Sequence, residues 1–131
     1  MLLITIGSSI CTALFVDGQE VPNTEFGHLI MHNMIAEHYV SNSARKKLDL
    51  SWEKWGKRFN EYLLHLERLL SPDLFILGGG ISKDFDSYHK YLKVETPVTP
   101  AKLLNNAGIV GAAGYAYRRM SGMRHGADSE K

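Results

Sequence analysis

Residues 2–6, Leu-Leu-Ile-Thr-Ile, are apolar everywhere but Thr5, so a strand built from them is buried on both faces. Such a strand needs cover above and below, which helices on a sheet supply. Thr12–Val16 reads as a second strand. Asp17-Gly18 is the strongest short hairpin signal in the chain, with Gln19–Val21 as the return strand before Pro22. Asn23–Asn33 reads as a loop carrying Glu25, Gly27, His28 and His32, and weak helical periodicity then runs from Ile35 to Lys47. The clearest helix follows. Trp52, Trp55, Phe59, Tyr62, Leu63, Leu66 and Leu70 recur every three or four residues, Asp49 and Ser51 offer capping oxygens, and Pro72 lies just beyond the end. This aromatic face reads as core rather than as a surface for stacking a ligand.

Residues 74–80, Leu-Phe-Ile-Leu-Gly-Gly-Gly, form a buried strand running into three glycines. Ser82–Leu92 is expected to be a helix, Thr96–Thr99 a short strand, and Ala107–Arg119 a closely packed final helix. The order β-β-β-α-α-β-α-β-α predicts an α/β fold. Its mixed sheet joins a three-strand antiparallel meander to helix-connected strands. One domain is expected over residues 1–120, followed by a polar, disordered tail at 121–131.

The totals exclude several classes. A net charge of +1 gives no reason to expect a nucleic-acid or membrane partner, and no apolar stretch approaches the roughly 18–20 residues that span a bilayer. The first residues lack a basic region and a cleavage site, and the single cysteine, Cys11, allows no internal disulfide. A cytoplasmic protein is expected.

Three stretches could carry chemistry. Gly7-Ser8-Ser9-Ile10-Cys11 places a turn between two apolar runs; its amides and hydroxyls suit a phosphate, or it is simply a hairpin turn. Gly78-Gly79-Gly80, between a buried strand and a helix, suits an anion or nucleotide, or serves close packing. Glu25, Gly27 and His28 put a carboxylate and an imidazole in one turn, with Glu37 at a helix start; they suit ligand hydroxyls, or a solvated loop and a capping acid. His28, His32, Glu37 and His38 match no zinc spacing, and no metal site is expected. Lys54, Lys57, Arg58 and Lys83 are basic groups that a polyanion could use, or plain solvated surface.

Together the stretches "LFVDGQEVPNTEFGHL", "AEHYVSNSARKK", "LSWEKWGKRFNEYLLHLERLLSPDLFILGGGISK" and "LLNNAGIVGAA" resemble the ROK family of sugar kinases, in its polyphosphate glucokinase-like branch. The resemblance implies a ribonuclease H-like lobe of the actin-type ATPase fold, here the C-terminal of two lobes. It implies glucose phosphorylation with polyphosphate or ATP as donor, magnesium accompanying the donor, and no zinc. The family's E-x-G-H motif falls on Glu25, Gly27 and His28, and a third sugar ligand falls on Glu37. Gly7, Ser8 and Ser9, and Gly78, Gly79 and Gly80, fall on phosphate- or nucleotide-binding positions. Where the family carries G-T-G-I-G, Ser9 and Cys11 stand in place of two glycines. The family's catalytic aspartate and first phosphate loop have no counterpart here, so no catalytic residue is assigned and the chain alone is expected not to turn over. A homo-oligomer, or a separate N-terminal lobe as partner, is expected. The alternative is a sugar-binding or regulatory remnant without catalysis.

Overall fold

The computed structural model describes residues 1–101; the expected helix Ala107–Arg119 and the polar tail lie outside them. Strand β1 (Leu2–Ile6) runs antiparallel to β2 (Ile10–Val16), which pairs with β3 (Gln19–Val21). The β2–β3 turn is Asp17-Gly18, both at positive φ (54° and 79°), as a two-residue hairpin of this hand requires. The segment expected to be a loop holds a second, small hairpin, β4 (Ile30–Met31) and β5 (Met34–Ile35). Its turn residues, His32 and Asn33, also sit at positive φ (50° and 66°), but without a glycine to announce them.

The weak periodicity from Ile35 to Lys47 resolves into two short helices, α1 (Ala36–Val40) and α2 (Asn42–Lys47). Ser41 divides them with an extended backbone, and its hydroxyl caps α2 by accepting from the Ala44 amide at 3.1 Å. Helix α3 (Trp52–Leu70) forms as its periodicity predicts. Ser51, not Asp49, is its N-cap; Ser71 ends it in the left-handed region, just before Pro72.

Strand β6 (Phe75–Gly78) lies parallel to β1, with Leu2 opposite Phe75 and Thr5 opposite Gly78. The helix expected over Ser82–Leu92 does not form as one piece. A tight 3-10 stretch (Gly80–Asp84), one α-turn, α4 (Phe85–Tyr88), and a second 3-10 turn (His89–Tyr91) replace it. Local bonds account for the tightening: the Ser82 amide and hydroxyl both donate to Gly79 O (3.1 and 2.7 Å), and the buried Tyr88 hydroxyl donates to Ile81 O at 3.0 Å. Strand β7 (Val98–Pro100) then pairs parallel to β6.

The sheet order is β3-β2-β1-β6-β7, a meander joined to helix-connected parallel strands as expected. Both faces of β1 are buried. Leu2, Ile4 and Ile6 join Trp55, Phe59, Tyr62, Leu63 and Leu66 of α3 in one cluster, while Leu3 packs on the opposite face with Ala13, Phe15 and Ile76. The aromatic face of α3 is therefore core, and the Trp55 indole N–H finds the Val40 carbonyl at 2.9 Å. No helix among the described residues is long and apolar enough to cross a membrane.

Candidate functional site

Parallel β1 and β6 both deliver their chains at the same end of the sheet, where crevices of open α/β sheets collect ligands. The Gly7–Ser9 turn leaves β1 there, and Gly79-Gly80 leaves β6 beside it. Gly79 shows how close they are. A Cβ at this position would stand 2.7 Å from Ile6 O, and the backbone already sits at φ 82°, ψ −175°, a region that side chains rarely enter. Gly78 is buried and paired in β6. Packing thus accounts for two of the three glycines. Gly80 and Gly7 are different: a Cβ on either meets nothing within 4 Å, so the space over them is open.

The Gly7–Ser9 turn is internally bonded and externally tied. Gly7 N–H donates to Ser9 O at 2.9 Å, and Gly7 O accepts from the Asn42 amide, the first of α2, at 2.8 Å. The Gly7 amide and carbonyl are therefore both committed to partners within the protein. Cys11, one of the two residues standing where the family has glycine, sends its side chain against the Leu3, Ala13, Phe15 and Ile76 cluster. Ser9, the other, stays half-buried on the turn.

Ile10 joins this turn to the remaining candidates. Its amide donates to Glu37 Oε1 at 3.2 Å, and its carbonyl lies where a Cβ on Gly27 would come within 2.9 Å. Glu37, in the first turn of α1, thus bonds across to β2 rather than capping its own helix. Gly27 is the middle of a 3-10 turn, Phe26–His28, that leaves Glu25 and His28 exposed on either side. Glu25, His28 and Glu37 are accordingly gathered around the start of β2. Tyr62 of α3 reports the same proximity: burial pushes its hydroxyl pKa well up, and the charges of Glu25 and Glu37 push it further.

A second polar cluster lies outside these residues. His32 Nε2 meets Glu61 Oε2 at 3.0 Å, the Tyr39 hydroxyl donates to Glu61 Oε1 at 2.6 Å, and Arg58 donates to Tyr39 O at 3.1 Å with its guanidinium 4.3 Å over the Tyr39 ring. It fastens the β4–β5 hairpin and α1 to α3. Arg58 is thus engaged in packing, while Lys57 pairs with Glu53 at 3.2 Å and Lys54 and Lys83 are exposed. Among the described residues no three His, Cys, Asp or Glu side chains converge so as to hold a metal ion.

No family model matches the sequence. It is 44% identical over 113 residues to a polyphosphate glucokinase of Mycobacterium tuberculosis, a match covering 86% of this chain and 43% of that relative. The polyphosphate glucokinase of Mycobacterium leprae is 42% identical over the same length, with 35% of it covered. The chain therefore spans less than half the length of these curated relatives. Among solved structures it is similar to an inorganic polyphosphate/ATP-glucomannokinase from Arthrobacter sp. strain KM, at TM-score 0.76 and 46% identity, covering 90% of this chain and 47% of the other. A ROK family glucokinase from Streptomyces griseus, solved with glucose and AMPPNP, shares the fold at TM-score 0.63 and 19% identity, covering 89% of this chain and 60% of that one.

Proposed function

We propose, from the premise that the chain is polyphosphate glucokinase-like and of the ROK sugar kinase type in sequence and fold, that it forms the sugar-binding side of a glucose-phosphorylating enzyme. The observation that carries this reading is the convergence on Ile10: one residue holds Glu37 through its amide, seats Gly27 against its carbonyl, and follows the Gly7–Ser9 turn directly. Carboxylates and an imidazole so grouped can bridge neighbouring sugar hydroxyls, Glu25 and Glu37 accepting and His28 donating or accepting. Ser8, Ser9 and the open approach over Gly80 would face the donor phosphates of ATP or polyphosphate, with Gly7, Gly78 and Gly79 fixing that surface.

Phosphoryl transfer to a sugar hydroxyl needs a base for the proton and clamps for the transferring group. These residues supply hydroxyl recognition and phosphate-facing donors. The resemblance assigns the base to an aspartate of an Asn-Asp motif that this sequence does not contain, so on this reading the base would have to come from a second lobe. Magnesium arriving with the donor would offset phosphate charge; the described residues include no ligand cluster of their own for it.

The test is a glucose titration of the purified chain by calorimetry, with Glu25→Gln and His28→Ala as controls, beside a coupled glucose-6-phosphate assay with ATP and with polyphosphate. Glucose binding that both substitutions abolish, without turnover, is expected. Binding that survives both substitutions, or robust turnover by the chain alone, would overturn the reading.

A further inference from the structure

The Phe26 peptide, central to the turn that presents Glu25 and His28, is held on both its polar sides by side chains from outside the turn. Its amide donates to Thr12 Oγ1 of β2 at 3.2 Å, and its carbonyl accepts from the Tyr62 hydroxyl of α3 at 2.9 Å. The two holding residues are themselves buried, Thr12 at 8% exposure and Tyr62 fully, so water competes poorly for these two bonds. The turn's own bonds are few and long, His28 N–H to Glu25 O and Leu29 N–H to Phe26 O at 3.2 Å each, and no side chain caps it. A three-residue 3-10 turn with such bonds does not hold its shape alone.

We infer that Thr12 and Tyr62 are positioning residues for the candidate sugar site, clamping the Phe26 peptide so that Glu25 and His28 are presented in one fixed geometry. The inference rests on the sugar-binding reading of Glu25 and His28. The two residues reach the site from opposite directions, one from the sheet and one from the long helix, and Gly27 between them is pressed onto Ile10 O. The turn is therefore fixed at three points: Thr12, Tyr62 and Ile10. Neither Thr12 nor Tyr62 need touch a sugar. Burial, and then the Glu25 and Glu37 charges, push the Tyr62 hydroxyl pKa above the ordinary tyrosine value, so it stays protonated and donating at neutral pH.

Tyr62→Phe removes only the donor, and Thr12→Val only the acceptor; Thr12→Ser restores it. Backbone amide exchange on the whole chain, without ligand, reads the clamp directly. Exchange at Phe26, His28 and Leu29 should accelerate by roughly tenfold in Tyr62→Phe and Thr12→Val. Thr12→Ser should behave as wild type, and the β1 amides Leu3–Ile6, as a folding control, should not change. The His28 ring resonances should shift in the first two variants, and their glucose affinity should fall by about tenfold with the fold intact. Unchanged exchange at 26–29 in both variants overturns the inference, as does Thr12→Ser behaving like Thr12→Val. A wild-type chain that binds no glucose counts against the sugar reading alone, because the exchange comparison decides the clamp without ligand.

Discussion

The Ile10 amide donates to Glu37 Oε1 across 27 positions of sequence, fastening the end of the Gly7–Ser9 turn to the first turn of α1. Ile10 is only 3% exposed, so its amide has no ready access to water if the carboxylate leaves.

Glu37→Ala should therefore cost about 1–3 kcal/mol in stability, the penalty of an unpaired buried donor. Glu37→Gln keeps an oxygen in the same place and should retain most of that stability while losing the charge a sugar hydroxyl would meet. Urea denaturation of the two variants checks the first point, and glucose titration the second. Equal stability of the two would show that the bond contributes nothing.

The glycines divide into two kinds, and substitution should separate them. Gly79→Ala places a Cβ against Ile6 O in a backbone region costing about 1–3 kcal/mol for any side chain, so its midpoint should fall clearly. Gly7→Ala and Gly80→Ala meet only open space and should leave thermal stability near wild type. If phosphate approaches over those two positions, they should nonetheless weaken binding of tripolyphosphate or ATP. Retained donor affinity in both would place the phosphate elsewhere.

The Glu61 cluster makes a pH prediction. Burial alone would raise the Glu61 pKa, but hydrogen bonds from Tyr39 and His32, with the charges of His32 and His65, outweigh it and hold the carboxyl below its ordinary value. A lowered folded-state pKa stabilises above the unfolded value and loses that contribution as pH falls through the folded one. Glu61→Gln should thus be less stable than wild type near neutrality, with the gap closing below about pH 4. Tyr39, pushed up to about 12 by burial and then by its bond to Glu61, gives the opposite limb: its contribution holds below the ordinary tyrosine pKa and fades as pH rises towards 12. Chemical denaturation across pH checks both; a pH-independent gap would remove Glu61 as its source.

Glu67 anchors the approach to β7. Its Oε2 accepts from the Glu95 amide, the Thr96 amide and the Thr96 hydroxyl, at 3.0, 2.7 and 2.7 Å. Glu67→Ala should accelerate amide exchange at 95–99 while the β1 and β6 amides stay protected, since the bonds are near the surface and local. Loss of protection throughout the sheet would instead make Glu67 part of the global fold.

The parts of this fold that the sequence discloses are those written in a single local pattern. Leu2–Ile6, the Asp17-Gly18 hairpin and the α3 stripe from Trp52 to Leu70 each carry their periodicity or turn chemistry in consecutive residues. The β4–β5 hairpin is hidden because His32 and Asn33 adopt positive φ without a glycine, although Asn33 is a residue that tolerates it. The break at Ser41 was signalled only by Ser41-Asn42, good helix-capping residues in the middle of a periodic run. The candidate site residues are legible as chemical types and by family resemblance. Their connections are not: Ile10 to Glu37, Asn42 to Gly7 and Tyr62 to Phe26 join distant positions, and no local pattern encodes them.

That same break at Ser41 sets a limit on engineering this chain. In an uninterrupted helix from Ala36 to Lys47, the Asn42 amide would be committed to the carbonyl of His38. The extended Ser41 backbone releases it, and it reaches Gly7 O instead. A designer who replaced Ser41 with alanine to raise helix propensity would instead remove the cap of α2 and leave the buried Ala44 amide unpaired, at a cost of about 0.5–2 kcal/mol. The same substitution would loosen the start of α2, whose Asn42 amide moors the turn at the end of β1 through Gly7 O, so the melting point and the turn would suffer together.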